Sequence, residues 1–107
     1  MEHQESPLRL AVTSNDREVL IELAGELDVA TAPELWAAID AALAKGHQRL
    51  VLDLSGLAFV DSTGLGVFVR AGKELRANGG ALTLRQPGER VAKLLEITRL
   101  QEVFEIE

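Results

Sequence analysis

Past Arg49, the stretch RLVLDL, residues 49–54, is apolar on both faces except at Asp53. A strand of that composition is stable where both faces are covered, so it belongs in the middle of a sheet. The segments on either side have a different period. Before it, TAPELWAAIDAALAKG (31–46) sets Leu35, Ile39, Ala42 and Leu43 at helical spacing. Thr31 and Glu34 read as a capping box, Pro33 suits the first turn, and Gly46 suits the stop. After it, a second helix reads from Ser62 to about Asn78. Leu65, Phe68, Val69 and Leu75 lie on its inward stripe, with Val67 and Ala71 toward solvent, and NGG (78–80) ends it.

The rest of the chain completes the same alternation. LRLAVT (8–13) puts Leu8, Leu10 and Val12 on one face, and REVLIELA (17–24) does the same with Val19, Ile21 and Leu23. SND (14–16) is a turn, so the two pair as an antiparallel hairpin. ALTLRQ (81–86) is a strand with Leu82 and Leu84 inward, while Thr83 and Arg85 face an open side. PGERVAKLLEITRL (87–100) carries a third helix on Val91, Leu94, Leu95 and Thr98, and VFEI (103–106) adds a short edge strand. The order is ββαβαβα with a last β: an α/β fold with a mixed sheet of four to five strands and three or more helices packed against it. Residues 1–7 read as a loose tail and 8–107 as one domain, which fits a chain of 107 residues.

Several functions are excluded or disfavoured. The net charge is −6 and the eleven basic residues are scattered, which argues against nucleic acid or an anionic membrane as partner. The chain has no cysteine, so it has no disulfide framework or thiolate chemistry. MEHQESP at the start is polar and acidic rather than a signal peptide, and no apolar run approaches a membrane span of roughly 20 residues. A soluble cytoplasmic domain is the expectation.

In open α/β sheets, function gathers where strands give way to helices. Two such segments read as loops, GELDVAT (25–31) and SGLAFVDSTG (55–64), and they bring Asp28 and Ser62 to one edge. Ser62 invites four readings. A hydrolase elbow needs G-x-S-x-G, but the pentad is Val60-Asp61-Ser62-Thr63-Gly64. The histidines are His3 in the tail and His47 before the strand that Ser62 follows, and a six-residue strand separates its ends by about 20 Å. Catalysis by Ser62 therefore lacks both a glycine and a base. Gly64-x-Gly66 begins like a dinucleotide fingerprint, but Val69 stands where the third glycine belongs and there is no Walker lysine, so no nucleotide cofactor is expected. The two glycines are read as letting the helix start pack tightly. Asp28, Asp61, Glu26 and Asp53 could supply oxygen to a metal, but no spacing supports one, and Asp53 suits a hydrogen bond to the chain that follows it. The local sequence favours Ser62, or else Thr63, as the helix N-cap.

Beyond the residues taken singly, GELDVATAPELWAAI followed by LVLDLSGLAFVDSTGLGVFV resembles the STAS domain of bacterial anti-sigma-factor antagonists. A G-E-L-D loop before the first helix and a D-S-[ST]-G-L-G turn before the second are the marks of that family. The similarity runs on through GGALTLRQPGERVAKLLEITRL and covers nearly the whole chain. It implies a STAS fold and a partner-switching role in transcription. The serine after the motif aspartate, here Ser62 after Asp61, would be phosphorylated by the partner anti-sigma factor, an ATP-dependent serine kinase. The unphosphorylated form would bind that partner and release the sigma factor. The phosphorylated form would not bind, and a PP2C-type phosphatase would reset it. Asp28, Asp61, Thr63, Gly64 and Val67 would form the surroundings of the phosphosite and the partner-binding surface. A STAS subunit of another assembly, such as a lipid-transport ATPase or a stressosome-type scaffold, is the alternative. The chain departs from the family at Arg99, where glycine is frequent and would suit a left-handed helix end.

Overall fold

The apolar stretch at 49–54 does lie in the middle of the sheet. It opens β3 (Arg49–Val60), which runs parallel to β2 (Val19–Leu27) on one side and to β4 (Ala81–Arg85) on the other. β1 (Leu8–Ser14) pairs antiparallel with β2, and β5 (Glu105–Ile106) pairs parallel with β4. The strand order is therefore β1-β2-β3-β4-β5. Three helices fill the crossovers: α1 (Ala32–Ala44), α2 (Ser62–Ala77) and α3 (Glu89–Thr98). The structure is a computed structural model that describes residues 6–98 and 103–107. Most of the expected tail, including His3, and the departure at Arg99 lie outside the described residues.

The layering follows from handedness. From β2 to β5 each crossover steps the same way across the sheet, and right-handed crossovers then place all three helices on one face. The inward residues of β2 (Val19, Ile21, Leu23, Leu27), β3 (Leu50, Leu52, Leu54) and β4 (Leu82, Leu84) join Leu35, Ile39, Phe68, Leu75, Val91 and Leu95 in a single buried cluster. The other face carries Glu22, Asp53, Thr83 and Arg85, the open side expected for β4, so β3 is central in the sheet but covered by helices on one face only. Arg85 there meets Glu107 at 3.2 Å. On the edge strand β1 the apolar alternation persists, but the burial fades from Leu8 to Val12, which is 53 % exposed.

Three local expectations are corrected. Residues 25–27 and 55–60 are strand, not loop. The pairing of β2 with β3 slips twice, between Glu22 and Ala24 and between Gly25 and Glu26, and each slip inserts one residue into β3. Two bulges turn a period of two into a period of three, so burial falls on Leu54, Leu57 and Val60 and the strand loses its alternating signature. Second, Ala71 is fully buried rather than turned to solvent. The buried stripe of α2 runs through Gly64, Phe68, Ala71 and Leu75, at steps of four, three and four. Third, Thr31 and Glu34 form no capping box, because Thr31 makes no side-chain cap bond. Glu34 instead accepts a hydrogen bond from the Ser6 hydroxyl at 2.9 Å.

Candidate functional site

Strands β2 and β3 end side by side. Leu27 pairs with Val60, and the Asp61 N–H donates to the Leu27 carbonyl at 3.2 Å. Each strand hands over to a helix through an aspartate. After β2 the chain tightens at once: Asp28 Oδ1 accepts from the N–H groups of Ala30 and Thr31 at 3.0 and 3.1 Å, and its carbonyl accepts from Ala32 at 2.8 Å. Thr31 sits inside this turn, 1 % exposed. Its hydroxyl donates to the Glu26 carbonyl at 3.0 Å and accepts from the Asp28 N–H at 2.9 Å. That explains the missing capping box. Thr31 already has helical backbone angles, so the free N–H groups lie one turn earlier and Asp28 collects them.

The start of α2 is built differently. Asp61 has extended backbone (φ −106°, ψ −174°), and its Oδ1 accepts from the Gly64 N–H at 3.0 Å. Asp61 is therefore the N-cap, and the expectation that Ser62 or Thr63 caps the helix is corrected. A cap stands on extended backbone two or three residues before the N–H it accepts, as Asp61 does for Gly64, and a carboxylate there also complements the positive helix end. Ser62 becomes the first helical residue. Ser62 and Thr63 are both exposed, and neither hydroxyl has a hydrogen-bond partner among the described residues. The fold fixes the backbone of Ser62, and none of the described residues uses its hydroxyl oxygen.

Gly64 shows why the helix starts here. A Cβ at this position would lie 2.7 Å from Leu27 Cγ and from Val60 Cγ2, so only glycine lets α2 sit down on the two strand ends. Gly66, two residues further and on the other side of α2, is unlike it: exposed, with nothing described within 4 Å of a Cβ. The expectation of tight packing thus holds for Gly64 and fails for Gly66. Of the other expected surroundings, Asp28 and Asp61 turn their carboxylates to their own backbone, and Thr63 and Val67 face a groove.

That groove, of about 410 Å³, runs between the starts of α1 and α2. Val29, Ala32, Pro33 and Trp36 line one wall; Thr63, Gly66, Val67 and Arg70 line the other. Val29 is 71 % exposed. The Arg70 guanidinium stacks over Trp36, 3.8 Å from the ring centroid, and stands 3.8 Å from Glu74. Val29, Trp36 and Arg70 were not expected from sequence. The available signal was the four-residue spacing of Ala32 with Trp36 and of Gly66 with Arg70, which sets each pair on one helix face.

His47 lies before β3, beside Arg17 and Arg49, at the opposite end of that strand from Ser62. Asp53 Oδ1 accepts from the Ser55 N–H at 2.9 Å, as expected of it. Among the described residues no three acidic or histidine side chains converge as a metal site, and no helix is long and apolar enough to cross a membrane.

With this geometry in hand, comparison with known proteins is specific. The model of the STAS domain family matches residues 9–107. The anti-sigma-B factor antagonist of Bacillus subtilis (strain 168) is 35% identical over 99 residues, which covers 92% of this chain and 90% of that protein. Among solved structures, the anti-sigma factor antagonist SpoIIAA in its unphosphorylated form superposes with a TM-score of 0.76 at 25% identity, covering 92% of this chain and 87% of that one. The Bacillus cell fate determinant SpoIIAA in its phosphorylated form gives 0.75 at 25% identity, covering 92% and 91%.

Proposed function

The chain belongs to the STAS domain family, and from that premise we propose that it is an anti-sigma-factor antagonist switched by phosphorylation of Ser62. Unphosphorylated, it binds an anti-sigma factor that is also a serine kinase, and the sigma factor is released. The kinase then transfers the γ-phosphoryl group of ATP to Ser62 Oγ, the hydroxyl proton departs, and ADP is left. The phosphorylated chain no longer binds, and a PP2C-type phosphatase restores the hydroxyl. The chain is substrate and ligand, not catalyst, and it works in the cytoplasm beside the transcription machinery.

One observation carries this reading: Ser62 is the exposed first residue of a helix that Asp61 already caps, and among the described residues its hydroxyl has no hydrogen-bond partner. Such a hydroxyl can be modified without loss to the fold. The electrostatics agree. A phosphate brings about −1.5 to −2 charges, and a helix N-terminus returns about 0.3–1 kcal/mol to an anion. The cost falls on the interface, where an unpaired dianion would have to lose its water. Moving a bound population from nearly all to nearly none takes about 5.5 kcal/mol, within the reach of one buried phosphate. The switch is then local occlusion. SpoIIAA in its unphosphorylated and in its phosphorylated form shares the fold of this chain, with TM-scores of 0.76 and 0.75, as local occlusion requires.

The test is phosphomapping. The purified chain is incubated with ATP and each anti-sigma kinase of the same genome, and the product is mapped by mass spectrometry. A single phosphate at Ser62, lost in Ser62→Ala, is expected. Labelling elsewhere, or none with any kinase, overturns the reading.

A further inference from the structure

Two glycines of one motif have opposite surroundings. Gly64 is held by Leu27 and Val60, while Gly66 meets nothing. Glycine inside a helix is a net cost relative to alanine, because it surrenders more backbone freedom on folding. Among the described residues, Gly66 has no packing reason to bear that cost. Its φ is not positive, it is exposed, and a methyl group there would enter open space. A reason must come from outside the chain.

We infer that Gly66 is the point where the main chain of the anti-sigma kinase crosses α2, seating an apolar side chain in the groove lined by Val29, Trp36 and Val67 and a carboxylate against Arg70. The inference rests on the antagonist reading above and deepens it. Ser62, Gly66 and Arg70 follow one another at four-residue steps, so they form one line along the helix, with about 6 Å of axial rise per step. A kinase that brings its reacting centre to Ser62 must lie over the next turn. A Cβ at position 66 would stand between the two surfaces.

The groove defines the occupant. Its walls are apolar at Val29, Pro33, Trp36 and Val67, which fits an apolar side chain. Its one charged lining residue is Arg70, which fits a carboxylate. Arg70 is available for it: its contact with Glu74 is 3.8 Å long, between side chains 60% and 45% exposed, and such a surface pair is weakly held. Stacking on Trp36 orients the guanidinium at the groove's end.

The experiment uses the full chain and whichever anti-sigma kinase of the same genome labels wild-type Ser62. Affinity is measured by calorimetry without ATP, labelling rate with ATP, and Tm by thermal melting. Gly66→Ala should melt at or above the wild-type temperature, bind at least tenfold more weakly, and be labelled correspondingly slowly. Arg70→Glu should also bind at least tenfold more weakly, with a Tm lower by only a few degrees from the lost Trp36 stack and the like charge at Glu74. If Gly66→Ala binds within twofold of wild type, or melts lower, the close approach is overturned while the antagonist reading stands. Unchanged affinity in Arg70→Glu overturns the carboxylate contact. If no kinase labels the wild type, the antagonist reading fails and takes this inference with it.

Discussion

The two helix starts at the rim of the sheet begin alike and end differently. Each strand end, Leu27 or Val60, passes to an aspartate, and each aspartate spends its carboxylate on backbone N–H groups. Each start also carries a hydroxyl residue. At α1 the hydroxyl of Thr31 is buried and bonded to Glu26 and Asp28. At α2 the hydroxyls of Ser62 and Thr63 are exposed and bonded to nothing described. The same residue chemistry is thus structural in one place and surplus in the other. What separates them is the backbone: the turn before α1 folds back over Thr31, whereas the single extended residue Asp61 leads straight into α2. A surplus hydroxyl on a fixed backbone is what a modifying enzyme can take without unfolding its target.

The largest effect expected from this difference is on binding. Ser62→Glu should reduce affinity for the anti-sigma kinase by a hundredfold or more, about 2.7 kcal/mol, with the Tm nearly unchanged. Titration calorimetry and melting on the same sample check both halves. Next comes Thr31→Val, which keeps the shape and deletes the hydroxyl. The Glu26 carbonyl and the Asp28 N–H then lose their partner in a poorly hydrated turn. The expected loss is about 2 kcal/mol of stability, read as a Tm lower by roughly 10 °C. A Thr31→Val chain that melts like wild type would remove the contrast between the two starts. Smaller again is Asp61→Ala, which takes away the cap of α2 and should cost about 1 kcal/mol in urea unfolding. Asp61→Ser should recover most of it, since a hydroxyl can also accept from the Gly64 N–H.

The contrast also marks how far sequence reasoning reaches. Element order and the place of residues 49–54 were legible, because a doubly apolar strand between helical periods admits few arrangements. The extension of β3 to Val60 was not, because two bulges space Leu54, Leu57 and Val60 three apart. The cap of α2 was half legible. Aspartate and serine both cap helices, and the choice of Asp61 is fixed by Gly64 settling between Leu27 and Val60, a contact between distant segments. The groove was illegible for the same reason: Trp36 and Arg70 meet only once α1 and α2 are placed side by side. The role of Ser62 came from the family motif. Local chemistry removed the hydrolase and the nucleotide and favoured a cap, the switch entered with the motif, and the structure gives the cap to Asp61.

The smallest effect is the sharpest test of that division. Ser62→Ala removes an exposed hydroxyl that nothing described bonds to, and alanine is the better residue inside a helix. Its stability should lie within about 0.5 kcal/mol of wild type, measured by urea unfolding with an unchanged slope. At the same time the variant can accept no phosphate, so it should hold the kinase in the presence of ATP where the wild type is released. The two readouts separate cap from switch. A loss near the 1 kcal/mol expected for Asp61→Ala would mean that Ser62 shares the capping after all, and the hydroxyl would no longer be surplus. Release of Ser62→Ala by ATP would place the switch on another residue, with Thr63, the neighbouring free hydroxyl, the first to map.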